Sequence, residues 1–110
     1  MAKIILDRDM YDSLLEEHVN DNVTMIFKFG ASWCGPCKRI EPHYDEYAKQ
    51  ADTTECYHMD IDEDSIGELM EELDLKLVPH FFMVRNAQVI STKQTSQKDE
   101  LLSWIDEHSI

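Results

Sequence analysis

Met25-Ile26-Phe27-Lys28-Phe29 runs through Gly30-Ala31-Ser32 into Trp33-Cys34-Gly35-Pro36-Cys37, and the reading of this stretch decides the fold. Residues 23–29 are apolar at nearly every position, as expected of a strand covered on both faces. The change of pattern at Cys34 predicts the start of a helix. The first turn of a helix leaves backbone N–H groups unpaired and carries the positive end of the macrodipole. A cysteine placed there is stabilised as thiolate, the nucleophilic form. Residues three apart on a helix lie ~5 Å from each other, inside the window a disulfide requires. Pro36 suits an early helical position because its missing N–H would go unpaired anyway. Gly35 lets another backbone come close. The two thiols read as a site of disulfide exchange.

Outward from this stretch, strand-like and helix-like segments alternate as βαβαβαββα. Strands are expected at 2–6, 23–29 and 54–59, then at 81–84 and 88–92 as a hairpin turning around Arg85-Asn86-Ala87. Asp7 is the expected N-cap of a first helix carrying Met10, Leu14, Leu15 and His18. A second helix should span 34–51, with a kink at Pro42. A third covers 65–73, with Ile66, Leu69, Met70 and Leu73 on one face. A fourth, at 97–108, uses Leu101, Leu102, Trp104 and Ile105. Alternating βα units that end in a hairpin imply an α/β protein with a central mixed sheet of five strands and four flanking helices.

The 110 residues suit a single domain, 1–110, with enough chain to bury a core. The net charge of −13 opposes binding to nucleic acid or to an anionic membrane surface. Residues 60–74 hold eight acids and no base, read as a solvated helix face or as a steering patch for a basic partner. The N-terminus lacks the pattern of a signal peptide, and no apolar run approaches a membrane span. A cytoplasmic, monomeric protein is the expectation. Three cysteines, of which two are closely spaced, do not make a secreted disulfide framework. One CxxC supplies two metal ligands, and His43, His58, His80 and Cys56 could add to it only through tertiary proximity, so no metal site is expected. Cys56 itself reads as a small buried hydrophobe.

Trp33-Cys34-Gly35-Pro36-Cys37-Lys38, with Pro42 within the next helix and Val78-Pro79 further on, resembles the thioredoxin family. The likeness extends from Ile4 to Ile105 and implies the thioredoxin fold. It implies Cys34 as the exposed, attacking thiol and Cys37 as the resolving thiol that breaks the mixed disulfide. Trp33 would pack beside the site, and Lys38 and Arg39 would favour thiolate. Pro79 would be cis and face the dithiol. Val78 would then offer its backbone to an extended substrate, a brief β-pairing with little sequence preference. No bound cofactor is implied beyond the redox-active Cys34–Cys37 disulfide. Electrons would come from an NADPH-dependent thioredoxin reductase and pass to disulfide-containing protein substrates.

The chain departs from the family pattern at several positions. Thioredoxins usually carry a buried acid six residues before the first cysteine, where this chain has Lys28, and a lysine where it has His58. A lysine in a doubly covered strand must be paired or shifted down in pKa. Lys28 and His58 would together replace the acid in moving the Cys37 proton, or Lys28 would instead reach a carboxylate such as Asp60. Gly30 stands in place of a large aromatic. His80 follows Pro79, where it could tune the dithiol or serve as a strand residue with a polar tip. Ala87 and Gln94 replace common glycines, Gln94 in the last substrate-contacting loop, where it would narrow the partner range. A redox-sensitive binding module specialised for one partner is the competing function. A more oxidising, isomerase-like enzyme is a third, opposed by Gly35-Pro36. The thioredoxin-like splicing factors share the Phe27-Lys28-Phe29-Gly30 flavour but lack the dithiol.

Overall fold

The computed structural model describes residues 2–108. Five strands and four helices alternate: β1 (Lys3–Ile5), α1 (Arg8–Glu17), β2 (Thr24–Gly30), α2 (Gly35–Gln50), β3 (Thr54–Asp60), α3 (Asp64–Glu72), β4 (His80–Arg85), β5 (Gln88–Gln94) and α4 (Lys98–Glu107). The sheet order is β1-β3-β2-β4-β5. β1 and β2 run parallel to β3, whereas β4 runs antiparallel to β2 and β5. This is the mixed five-stranded sheet that the alternation predicts, and its central strand carries the decisive stretch.

Strand periodicity divides the core in two. Phe27 and Phe29 join Tyr11, Tyr57, Ile66, Leu69 and Phe82 on the side of α1 and α3. Ile26 joins Ile40, Tyr44, Phe81, Leu101 and Trp104 on the side of α2 and α4. Phe27 and Phe82 are wholly buried, their ring centroids 5.1 Å apart. Burial of one such side chain stabilises the fold by about 1.5–3 kcal/mol. The same alternation turns Lys28 toward α2, where Glu41 meets it.

Helix starts follow local chemistry. The Asp7 carboxylate accepts the Met10 N–H at 3.0 Å, the predicted cap. Glu63 caps α3 by accepting the Ile66 N–H at 3.2 Å. The helix expected from residue 34 begins at Gly35, with Cys34 as its cap and Pro36 in the first turn. It continues unbroken through Pro42 to Gln50. The last strand exceeds the expectation: β5 reaches Gln94, which pairs with His80 and is therefore a strand residue, not a loop residue.

Candidate active site

Cys34 and Cys37 are joined as a disulfide, with Cα atoms 5.3 Å apart. The cap geometry explains their placement. Cys34 is extended (φ −91°, ψ 108°), and its Sγ accepts the Cys37 N–H at 3.1 Å, one of the orphan donors of the first turn. The expected contrast in exposure is absent: Cys34 is 4% and Cys37 2% exposed in the disulfide. The two sulfurs differ instead in what they border. Cys34 opens onto an outer groove with Trp33, Pro36, Ile61, Leu77 and Val78. Cys37 opens onto a pocket on the other side with Lys28, Gly30, Glu41 and His58.

In the outer groove the Val78-Pro79 bond is cis, as the resemblance implies, and the Val78 carbonyl oxygen lies 3.7 Å from Cys34 Sγ. Trp33 is 65% exposed and lines the groove beside Cys34. Its indole N–H donates to both carboxylate oxygens of Asp62, at 3.1 and 3.2 Å. Leu77 is equally exposed across the groove, and a side chain at Gly35 would meet open space. Gln94 sits opposite His80 at the end of the hairpin strands. His80 is partly buried, and its Nδ1 has no partner among the described residues.

The inner pocket holds the charged groups. Lys28 is 4% exposed. The carboxylate that meets it is Glu41, with Nζ 3.9 Å from Oε2, and not Asp60. Asp60 is engaged elsewhere, its Oδ1 accepting the Asp62 N–H at 2.9 Å. Burial pushes Lys28 below the ordinary lysine pKa, with Glu41 and then Asp45 opposing. His58 is the register neighbour of Lys28, and its Nε2 lies 2.9 Å from Asp45 Oδ1. Burial first, then the Lys28 charge, hold His58 below its usual pKa against the pull of Asp45. Glu41, Asp45 and His58 bring their ligand atoms within 4.8 Å of one another, a trio with metal-ligand chemistry that the sequence spacing does not announce. The Lys28 ammonium already supplies positive charge beside Glu41.

Cys56 stands apart from both openings, buried and free, its thiol pushed up to about 12 by burial. Lys38 and Arg39 lie on α2 past Cys37, and Arg39 reaches Ser96 at 3.5 Å. Glu41, Asp45, Asp62 and Leu77 are the site residues the sequence reading missed. For the first two a signal existed: Cys37, Glu41 and Asp45 recur every four residues, one stripe of α2. Among the described residues, no helix is long and apolar enough to cross a membrane.

Comparison with known proteins agrees with this geometry. The family profile described as Thioredoxin matches residues 4–107. Thioredoxin 1 of Plasmodium falciparum is 29% identical over 109 residues, covering 99% of both chains. Thioredoxin H2-1 of Oryza sativa subsp. japonica is 31% identical, over 87% of this chain and 68% of its own length. The solved structure of Plasmodium falciparum thioredoxin superposes with a TM-score of 0.85 at 29% identity, over 98% of this chain and 100% of that one.

Proposed function

The chain belongs to the thioredoxin family and is a thiol–disulfide oxidoreductase, and from that premise we propose how its residues divide the work. Cys34, facing the outer groove, attacks one sulfur of a substrate disulfide. The substrate S–S bond breaks, one substrate thiolate leaves, and a Cys34–substrate mixed disulfide remains. Cys37 then attacks Cys34 Sγ, the second substrate thiolate leaves, and the Cys34–Cys37 disulfide is restored. Two electrons have passed from the dithiol to the substrate. An external donor returns them, and an NADPH-dependent thioredoxin reductase is the proposed one.

The observation that carries this reading is the Val78 carbonyl 3.7 Å from Cys34 Sγ at the floor of an apolar groove. An extended substrate segment laid along Val78 by main-chain hydrogen bonds would bring its own sulfur to Cys34. Trp33 and Leu77 would cover that segment from either side. Gln94 would limit what fits at the hairpin end. We place the protein in the cytoplasm as a monomer, working as one domain over 1–110, with disulfide-containing proteins as substrates and no role for nucleic acid.

The test is dithiothreitol-driven reduction of insulin disulfides by the wild type, Cys34→Ser and Cys37→Ser. Wild-type turnover should disappear in Cys34→Ser, and Cys37→Ser should accumulate a mixed disulfide. A wild type that fails to turn over, with both thiols verified as free, would reject the general reductase in favour of a module serving one partner.

A further inference from the structure

The inner pocket contains a buried cation that the exchange chemistry above leaves without a task. A methyl group built on Gly30 would stand 3.6 Å from Lys28 Nζ and 3.7 Å from Cys37 Sγ. The amine and the resolving sulfur therefore border one shared space, kept open because residue 30 has no side chain. That space belongs to a pocket reaching the surface past Ile4, Glu41 and Asp60. Lys28 is poorly matched where it lies. Glu41, the one carboxylate in ion-pair range of Nζ among the described residues, is 3.9 Å away, and its side chain is 48% exposed to competing water.

The geometry points to an ammonium–thiolate pair between Lys28 and Cys37, formed once Cys34 is engaged by substrate, that holds the resolving sulfur in its attacking form. Lys28 touches no substrate and acts through Cys37, as a positioning residue. This rests on Cys37 being the resolving thiol. In the mixed disulfide Cys37 is the site's remaining thiol, and it must lose a proton before it can attack. That proton leaves through the pocket to solvent. The electron pair left on Cys37 Sγ then forms the new bond to Cys34 Sγ, the Cys34–substrate bond breaks, and the departing substrate thiolate takes a proton from solvent. No further oxidant or reductant is needed.

The sign follows from charge. A neighbouring cation favours a thiolate, whereas a buried carboxylate would oppose one until it had taken up a proton itself. The groups facing the pair are Glu41, Asp45 and Lys38 on α2 and His58 and Asp60 on β3. The carboxylates offset part of the Lys28 charge. His58 is held neutral above its depressed pKa by burial and by Lys28 itself, so it does not supply the positive charge.

Cys34→Ser isolates the relevant state, leaving Cys37 as the titrating thiol, because Cys56 is pushed up to about 12 and stays silent. Thiolate absorbance should place Cys37 below an ordinary cysteine, and adding Lys28→Met should raise it by about one pH unit or more. In a chain retaining Cys34, Lys28→Met should slow release of the second substrate thiol about tenfold at neutral pH, and Lys28→Arg should restore part of the rate. An unchanged Cys37 titration in folded Lys28→Met overturns the pair. Should that variant not fold, the Lys28 side-chain NMR titration decides with Lys28 intact. It should move upward from the oxidised wild type to Cys34→Ser, and equal values overturn the proposal. Loss of insulin reduction in Cys37→Ser tests the resolving role separately, so the two failures are distinguishable.

Discussion

His80 shows how a single side chain couples the site to pH. Its Nδ1 is buried without a partner among the described residues, and burial lowers its pKa from 6.5, with the Leu77 backbone opposing. Below pH 6.5 the unfolded chain therefore binds a proton that the folded chain resists. Stability attributable to His80 is complete above that value and is lost as pH falls through the depressed native pKa. His80→Gln removes this dependence. The stability of the wild type relative to His80→Gln, measured by urea unfolding, should hold above about pH 6.5 and fall as the pH drops below it. A difference that stays constant with pH would exclude the linkage. The same depression at His58 is present in both chains and cancels. At this scale the sequence was legible where neighbours along the chain determine the outcome, as at Cys34 and Cys37, whereas the cis bond before Pro79 was legible only through the family resemblance. It was silent where one element must lie over another. Nothing local to Lys28 distinguishes Glu41 from Asp60 as its partner, because the choice depends on how α2 crosses β2 and β3.

The β4–β5 hairpin is the element with a visible fault. Its two-residue turn, Asn86-Ala87, has positive φ at both positions, 52° and 63°. Asparagine tolerates this geometry, and here it is tied down further, since Asn86 and Asn22 exchange hydrogen bonds at 3.0 and 2.7 Å. Alanine does not tolerate it, because its Cβ crowds the following carbonyl. Ala87→Gly should stabilise the protein by about 0.5–1 kcal/mol in chemical denaturation, the steric relief exceeding the added freedom of the unfolded glycine. An unchanged or lowered midpoint would show that the turn is not strained. The hairpin also marks the limit of pattern reading for elements. Strand β5 is expected to stop at residue 92, with Gln94 in a loop by the family resemblance. An edge strand exposed on one side has no need of apolar residues there, and its ladder with β4 carries it to Gln94.

For the whole molecule, charge is the dominant property. A net charge of −13 with eight acids in residues 60–74 gives a field that begins at the rim of the outer groove, where Asp62 holds Trp33. Encounter with a basic disulfide substrate should be steered and encounter with an acidic one hindered. Raising ionic strength from low salt should therefore lower kcat/KM for a basic substrate and raise it for an acidic one of similar size. Equal salt responses would assign the acids to solubility alone. The architecture was readable in advance at this scale, because βα alternation around an apolar central strand leaves few arrangements.

The two tryptophans occupy opposite environments within this architecture. Trp33 is 65% exposed beside the disulfide, and Trp104 is 4% exposed, its indole N–H donating to Ser91 at 2.8 Å. Indole emission shifts to the blue in an apolar surrounding and is quenched by a nearby disulfide. The protein thus carries two optical channels of its own. Red-side intensity follows oxidation of the dithiol, and the blue component follows the integrity of the α4 face, so a redox titration and an unfolding curve can be recorded on one unlabelled sample.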